Sequence, residues 1–390
     1  MSDVALSPAQ RRRSLAAIIA SMGVQALIFG LTLPLLALVL ENQGVDKVMI
    51  GLSAGAQSLA VFGIAPFAAK LIGALGLPRL MIGSTLLSVA VFLLLPVFPD
   101  VYAWFVLRFL IGMFGSIAWI AGESWINQIA EDHSRGRVIA MYSAALAAGG
   151  GIGPLVLAQT GTAGWLPFLV SGALIAISAA PLLLAADAST AMSGRPTVRL
   201  HRLIWLAPTA MFLNGVFAAT YMALITFLPI YSLHFGFGEA SSLYLLSLMS
   251  VGGLVFQFPV GWLADRYDRR MLVIISILFL AVSTLALPFV ITVGDWNNVF
   301  VFIFGGVFSS LYTLALILLG ERFKGPDLAS ASALFTAIFG LGSIIGPPLG
   351  GASMDLWQPH GLTMVISLIF ILYLPFPIRG YLRRRHDGER

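Results

Sequence analysis

The chain has 390 residues, of which 59% are hydrophobic and only 10% charged, and its mean hydropathy is +0.95. Soluble domains carry about 25% charged residues, so this composition is typical of a protein embedded in a lipid bilayer. Cysteine is absent, which excludes disulfides, thiolate nucleophiles and iron–sulfur clusters. The net charge of +5 fits a membrane protein with basic cytoplasmic loops, and no nucleic-acid partner is predicted.

The N-terminal segment has a polar beginning, then Arg11–Arg13, then an apolar run to about residue 40. A cleaved signal peptide has an apolar region of only about 7 to 15 residues. The longer run predicts a retained first membrane helix. Residues 1–14 are then a cytoplasmic tail.

Apolar runs long enough to cross a bilayer recur along the whole chain. A crossing of about 30 Å takes roughly 20 residues, and the pattern predicts an all-α membrane protein with twelve such helices. A polar linker at 187–202 separates a six-helix bundle at 15–186 from a second at 203–381, and a basic tail follows at 382–390. The predicted helices lie near 15–40, 48–72, 77–98, 101–127, 135–159, 164–186, 203–231, 239–263, 270–292, 296–320, 328–351 and 360–381.

The basic residues predict the orientation of these helices. Lys and Arg near helix ends are retained on the cytoplasmic side. With both termini in the cytoplasm, 20 of the 22 basic residues lie there. The other two are Lys47, in the first external loop, and Arg108, inside the fourth helix. An error of one crossing would destroy this asymmetry, so it supports the number of helices as well as their direction.

A glycine–proline motif recurs in the two halves. The fifth and eleventh predicted helices carry G-x-x-x-G-P 193 residues apart. Glycines four positions apart bare one face of a helix for close packing, and proline frees a carbonyl and bends the helix. The two copies are Gly149, Gly153 and Pro154, and Gly342, Gly346 and Pro347.

The loop after the eighth helix reads G-W-L-A-D-R-Y-D-R-R from Gly261 to Arg270. It resembles the signature G-x-L-A-D-R-x-G-R-R of the major facilitator superfamily, with Asp268 in place of the second glycine. In the first half, Pro66 and Lys70 replace the corresponding glycine and aspartate. The resemblance implies a fold of two six-helix bundles. It also implies a cytoplasmic charge latch formed by Asp265, Arg266, Arg269, Arg270 and Glu321.

Two more motifs are similar to patterns of this superfamily. Arg108 to Gly112 resembles the R-x-x-Q-G pattern of proton-coupled members, with Ile111 in the glutamine position. The segment from Gly342 to Gly351 resembles G-x-x-x-G-P-x-x-G-G, which antiporters of the superfamily carry in helix 5. These resemblances imply secondary transport, and they favour an exporter.

Two charged residues lie inside the fourth predicted helix. A charge in a crossing costs roughly 2.5 to 3.5 kcal/mol on insertion scales, so Arg108 and Glu123 are candidates for proton or substrate coupling. They are roughly 22 Å apart along the helix, too far to pair. Gly112, Gly115 and Trp119 lie between them, which predicts a polar and lightly packed face. Glu123 could instead pair with a loop arginine, and Arg108 could extend to the outer interface.

Further candidates line the path that helices 1, 4, 7 and 10 form in the superfamily. Each of these side chains could equally serve helix packing. Phe29, Phe217, Trp119 and Phe304 would add an aromatic wall or face lipid. The polar and aromatic cavity candidates are Gln25, Thr32, Trp119, Asn214, Tyr221 and Tyr312.

Signatures of enzymes and metal sites are missing from the sequence. The five histidines have no metal-ligand spacing, and no nucleotide-binding P-loop is present. We therefore expect a monomeric secondary transporter in the bacterial inner membrane, without a cofactor, that exports a small solute in exchange for protons. Proton-linked uptake of a sugar or organic acid is the alternative within this class. A non-transporting receptor or scaffold is the alternative outside it.

Overall fold

A computed structural model of the chain describes residues 7–129, 135–183, 204–323 and 326–388. The predicted linker at 187–202 and residues 1–6 of the N-terminal tail lie outside the described residues. Thirteen helices of 13 or more residues account for most of the described part. They are α1 Pro8–Asn42, α2 Lys47–Leu75, α3 Leu77–Leu94, α4 Val101–Ile129, α5 Arg135–Thr160, α6 Leu166–Leu183, α7 Pro208–Leu233, α8 Glu239–Arg266, α9 Arg269–Val290, α10 Trp296–Arg322, α11 Pro326–Leu356, α12 Gly361–Tyr373 and α13 Pro375–Gly388.

Twelve segments of the described chain are long and apolar enough to cross a membrane, as predicted. The last crossing, Gly361–Leu382, combines α12 with the first turns of α13. Helix α1 begins earlier than expected because Ser7 and Gln10 cap it reciprocally. The Ser7 N–H donates to Gln10 Oε1 at 3.0 Å, and the Gln10 N–H donates to Ser7 Oγ at 3.3 Å.

The chain divides into two compact units. Among the described residues, the first unit is drawn from Met1–Asn42 with Ala56–Gly194, and the second from Gln43–Gly55 with Arg195–Arg390. The division near residue 194 falls in the predicted linker. The segment Gln43–Gly55 differs from the prediction, because the beginning of α2 belongs to the second unit.

The first unit is held together by close packing of α1 against α5. A Cβ on Gly149 would overlap the carbonyl oxygen of Gly23, and one on Gly153 would overlap that of Leu27. Only glycine allows backbones to approach this closely. The core below this contact includes the fully buried Trp125 of α4.

The second unit repeats this packing between α7 and α11. A Cβ on Gly342 would overlap the carbonyl oxygen of Gly215, and one on Gly346 would overlap that of Ala219. The glycines of the two copies therefore serve the same purpose in each unit. Both α5 and α11 continue through their motif prolines as α-helices.

The first turns of α2 pack on the last turns of α11, which explains why they belong to the second unit. A Cβ on Gly51 would overlap the carbonyl of Pro347, and one on Gly351 would overlap the carbonyl of Lys47. Asp355 then caps α2, since its carboxylate oxygens accept from the Lys47 N–H at 3.1 Å and the Val48 N–H at 2.8 Å. A carboxylate at a helix N-terminus also complements the helix dipole.

Candidate functional site

The carboxylate of Glu123 is held by two neutral hydrogen-bond donors in the first unit. Trp119 Nε1, one turn earlier on α4, donates to Glu123 Oε1 at 3.0 Å. The hydroxyl of Tyr142 on α5 donates to the same oxygen at 3.1 Å. The residues come together because i and i+4 positions share a helix face, and because α5 presents Tyr142 to that face. The arrangement orients one carboxylate inside a membrane span.

The Glu123 side chain is exposed, but the part of α4 that carries it is well packed. Glu123 itself is exposed, while Trp119 and Tyr142 are half-buried. The neighbouring Gly122 lies against Met22 of α1, and Trp125 is fully buried in the core. An exposed carboxylate on a well-packed helix keeps its position while remaining accessible to a proton or a solute.

Arg108 has a different environment from Glu123. It is 0% exposed, which argues against extension of its side chain to the outer interface. The expected lightly packed face of α4 also needs correction at Gly112, where a Cβ would overlap the carbonyl of Gln57 in α2. A Cβ on Gly115 would meet nothing within 4 Å, so the open part of this face begins there.

The two predicted cavity residues of α1 lie at different levels of burial. Thr32 is 5% exposed and therefore belongs to the packed interior of the first unit. Gln25 is half-buried, and its Nε2 is buried without a hydrogen-bond partner among the described residues. A sequestered amide donor is costly, so Gln25 is the better candidate of the two for a polar solute contact.

Asn214, the predicted cavity residue near the start of α7, joins two helices. Its Nδ2 donates to the carbonyl oxygen of Phe335 on α11 at 2.7 Å, and the side chain is 0% exposed. This is the packing role that amides often have between membrane helices. Its Oδ1 has no hydrogen-bond partner among the described residues.

Tyr221 and Tyr312, the other predicted cavity residues of the second unit, belong to a cluster of aromatic rings. Phe217 lies at the centre of this cluster, with its ring centroid 5.6 Å from that of Tyr221 and 5.5 Å from that of Tyr312. Phe308 of α10 is 5.1 Å from Phe217. Phe304 extends this cluster along α10, with its ring centroid 5.9 Å from that of Phe308.

The predicted latch residues take part in separate interactions within the second unit. Arg269 pairs with Glu321 at the end of α10, and its Nε donates to the Ala264 carbonyl at 3.0 Å. Arg270 donates to the carbonyl oxygen of Gly380 in α13. Arg266 lies over the Trp262 ring, 3.8 Å from its centroid. Asp265 is exposed, and no hydrogen bond or ion pair joins it to these arginines in the described part of the chain.

Some functional candidates were missed by sequence reasoning. Tyr142 has no distinguishing signal, because its partner lies 19 positions away on another helix. The aromatic cluster did have a signal in α10, where rings recur every four residues at Phe300, Phe304, Phe308 and Tyr312. Such spacing aligns side chains on one helix face. Among the described residues, no group of His, Asp and Glu is arranged to hold a metal ion.

The described part of the chain has twelve apolar crossings in two units, which is the architecture of a polytopic membrane protein. The chain belongs to the Major Facilitator Superfamily, whose family model matches residues 14–255 and 210–390. It is therefore a multi-pass membrane protein and a secondary transporter, in a family that is not enzymatic.

Similar proteins support this membership. The uncharacterized MFS-type transporter YfkF of Bacillus subtilis is 27% identical over 354 residues, which cover 87% of this chain and 88% of YfkF. The uncharacterized transporter YcaD of Escherichia fergusonii is 23% identical over 283 residues, or 72% of each chain.

Solved structures share the fold at low sequence identity. A bacterial homologue of the human lysosomal transporter Spinster has a TM-score of 0.76 at 13% identity and covers 95% of this chain and 96% of its own. The nucleoside transporter NupG has a TM-score of 0.71 at 14% identity, covering 92% and 98%. At such identities these likenesses show the fold alone.

Proposed function

We propose that this transporter exports a small solute from the bacterial cytoplasm in exchange for protons, with Glu123 as the coupling carboxylate. The observation that supports this proposal is the orientation of Glu123 by Trp119 and Tyr142 inside a membrane span. A carboxylate in a crossing bears an insertion cost that packing alone does not require.

The chemistry follows from the hydrogen-bond capacity of Glu123. An ionised carboxylate accepts from both donors, whereas a protonated one has an O–H to donate and less acceptor capacity. Proton uptake would therefore loosen the contact to Tyr142, which lies on the neighbouring α5. Binding or release of one proton by Glu123 would in this way change how α4 packs against α5.

Export is favoured by the glycine–proline motif from Gly342 to Gly351 in α11, which resembles the motif that antiporters of the superfamily carry in helix 5. Arg108 would supply a fixed positive charge to the first unit, which also contains Glu123. In the alternative function, uptake of an organic acid, this charge would bind the carboxylate of the solute. The ion pair of Arg269 with Glu321 and the hydrogen bond of Arg270 to the Gly380 carbonyl would act as a latch on the cytoplasmic side, opening and closing as the transporter changes conformation.

The test uses purified protein in vesicles that contain a pH-sensitive dye. Solute-loaded vesicles are diluted into solute-free buffer, and antiport predicts proton entry as the solute leaves. Proton-linked uptake carriers would move both in the same direction, so the sign of the pH change separates the two functions. Panels of drugs, sugars and carboxylates serve as solutes.

Glu123→Gln is expected to reduce solute-driven proton movement at least tenfold while leaving solute exchange between equal concentrations intact. Removal of about 1.4 kcal/mol of coupling suffices for a factor of ten. Glu239→Gln, at the first position of α8, is the matched control. If Glu123→Gln vesicles acidify like the wild type, Glu123 is not the coupling residue.

A further inference from the structure

The aromatic cluster of the second unit has two layers. Phe217, Phe308 and Phe335 are buried, with exposed fractions of 8%, 1% and 4%. Tyr221 and Phe339 are half-buried, and Tyr312 is 37% exposed. The less buried rings come from three helices, α7, α10 and α11. Each of them contacts Phe217 of the buried layer, and we call the three rings together the aromatic face.

Ring contacts hold the aromatic face in place. Tyr221 is stacked on Phe217 with an interplanar angle of 11°, and Tyr312 packs against Phe335 with centroids 6.0 Å apart. Tyr312 and Phe339 meet edge to face at 6.3 Å. Contacts of this kind fix ring orientation, since offset-stacked and edge-to-face pairs are the favoured geometries. The aromatic face is therefore preformed rather than assembled around a solute.

The helices that carry this face have charged residues only near their ends. Helix α7 has no Asp, Glu, Lys or Arg, and in α10 only Glu321 and Arg322, in the last turn, are charged. In α11 the acidic residues are Asp327 and Asp355, near its two ends. A solute contacting this face would meet π-surfaces and tyrosine hydroxyls rather than ions. The coupling chemistry proposed above lies on the other unit.

We propose that the aromatic face, Tyr221, Tyr312 and Phe339, binds a flat aromatic ring system of the transported solute by stacking. This inference rests on the proposed transport function and names its substrate class. Flat rings match the face because they gain contact area and favourable quadrupole interactions together. A sugar would need several convergent polar groups, whereas the polar groups of the aromatic face itself are two tyrosine hydroxyls.

The test compares two compounds of similar volume, naphthalene carboxamide and its saturated decalin analogue. Binding to the purified full chain in detergent is measured by isothermal calorimetry. One aromatic pair contributes about 0.5 to 1.5 kcal/mol beyond area burial. We therefore expect the naphthalene compound to bind about 2- to 10-fold more tightly than the decalin compound.

Variants assign this preference to the aromatic face. Tyr312→Leu and Phe339→Leu should each reduce the preference about 2- to 10-fold. Tyr312→Phe keeps the ring and should leave it unchanged. Tyr244→Leu is the matched control, because Tyr244 is 48% exposed on α8 and contacts no other ring in the described structure. Thermal unfolding confirms that each variant is folded, and Phe339→Leu keeps the test decisive if Tyr312→Leu does not fold.

Equal affinity for the two compounds, or an equal loss in Tyr244→Leu and Tyr312→Leu, would overturn the inference. So would wild-type transport of ringless solutes without transport of any aromatic one, and that result would leave proton-coupled transport standing. A different result, ring-selective binding without solute-driven proton movement, would separate the two proposals. It would support the aromatic face and refute the proposed coupling.

Discussion

Asp268 occupies the position where the superfamily signature has glycine, and it has a defined structural role. Its side chain is the N-cap of α9, accepting from the Arg270 N–H at 2.8 Å and the Met271 N–H at 3.2 Å. These bonds satisfy backbone donors that a helix start otherwise leaves without partners. The departure from the family pattern is therefore compatible with an ordered turn between α8 and α9.

Replacement of Asp268 should destabilise the protein in the order of N-cap preference. Asp268→Asn should have the smallest effect, Asp268→Gly should cost a few tenths of a kcal/mol, and Asp268→Ala about 0.5 to 2 kcal/mol. The melting temperature in detergent, followed by tryptophan fluorescence, measures the order. If Asp268→Ala melts with the wild type, the capping bonds contribute nothing to stability.

For single residues, the sequence reveals which side chains are costly to place in a membrane, but it does not reveal which residues they contact. Glu123 could be singled out because a carboxylate inside a crossing is expensive. Its partner Tyr142 could not, because the contact depends on how α4 and α5 are rotated against each other. The latch shows the same limit. Its arginines were identifiable, yet their partners include the backbone carbonyl of Gly380, which no side-chain pattern reveals.

Among the helices, the glycines of α5 and α11 determine how closely the helices pack. The same pairing, α1 with α5 and α7 with α11, occurs in both units through glycines at equivalent positions. Backbone contact at these points replaces the side-chain contact of ordinary helix packing. One added methyl group would therefore push two helices apart.

Matched alanine substitutions test this packing. Gly346→Ala should lower the melting temperature, because the new Cβ overlaps the Ala219 carbonyl and overpacking costs about 1 to 3 kcal/mol. Gly320→Ala in α10 should leave the melting temperature unchanged or raise it, because its Cβ meets nothing within 4 Å and alanine favours a helix. A similar loss in both variants would contradict the packing argument.

Helix number and type followed from composition, because about 20 apolar residues in lipid have few alternatives to a helix. Helix ends were less predictable. Local capping by Ser7 and Gln10 carries α1 beyond its apolar run, and the last crossing changes from α12 to α13 at Leu374. These ends depend on individual hydrogen bonds, which periodicity does not detect.

For the molecule as a whole, the distribution of charge predicts which loops face the cytoplasm. The natural absence of cysteine allows a direct test, since any introduced thiol is the only one. Ala163, after α5, and Ala74, at the end of α2, are both exposed. They lie at opposite membrane faces in the predicted topology.

Ala163→Cys should react with a membrane-impermeant maleimide added to intact cells, because its loop is external. Ala74→Cys should react only after the membrane is permeabilised. Labelling is read as a mass shift on a gel, and the wild-type chain is the blank. Reaction of Ala74→Cys in intact cells would reverse the predicted orientation.

The linker and the repeated motif predict two units, but they do not predict that the segment Gln43–Gly55 belongs to the second unit. Gln43–Gly55 is flanked on both sides by the first unit and yet belongs to the second. The cause is the glycine contact with α11 and the cap provided by Asp355. A long-range contact of this kind has no local sequence signature.

The Asp355 cap has a consequence for the synthesis of the protein. Asp355 lies 308 positions after Lys47, so at about 5 to 20 residues per second the ribosome supplies the cap roughly 15 to 60 seconds after α2 begins. Until then the N–H groups at the start of α2 and the glycines beside them lack their eventual partners. Nascent chains that end before the eleventh crossing keep this defect. The Asp355 cap thus distinguishes a chain that has completed its eleventh crossing from one interrupted before it.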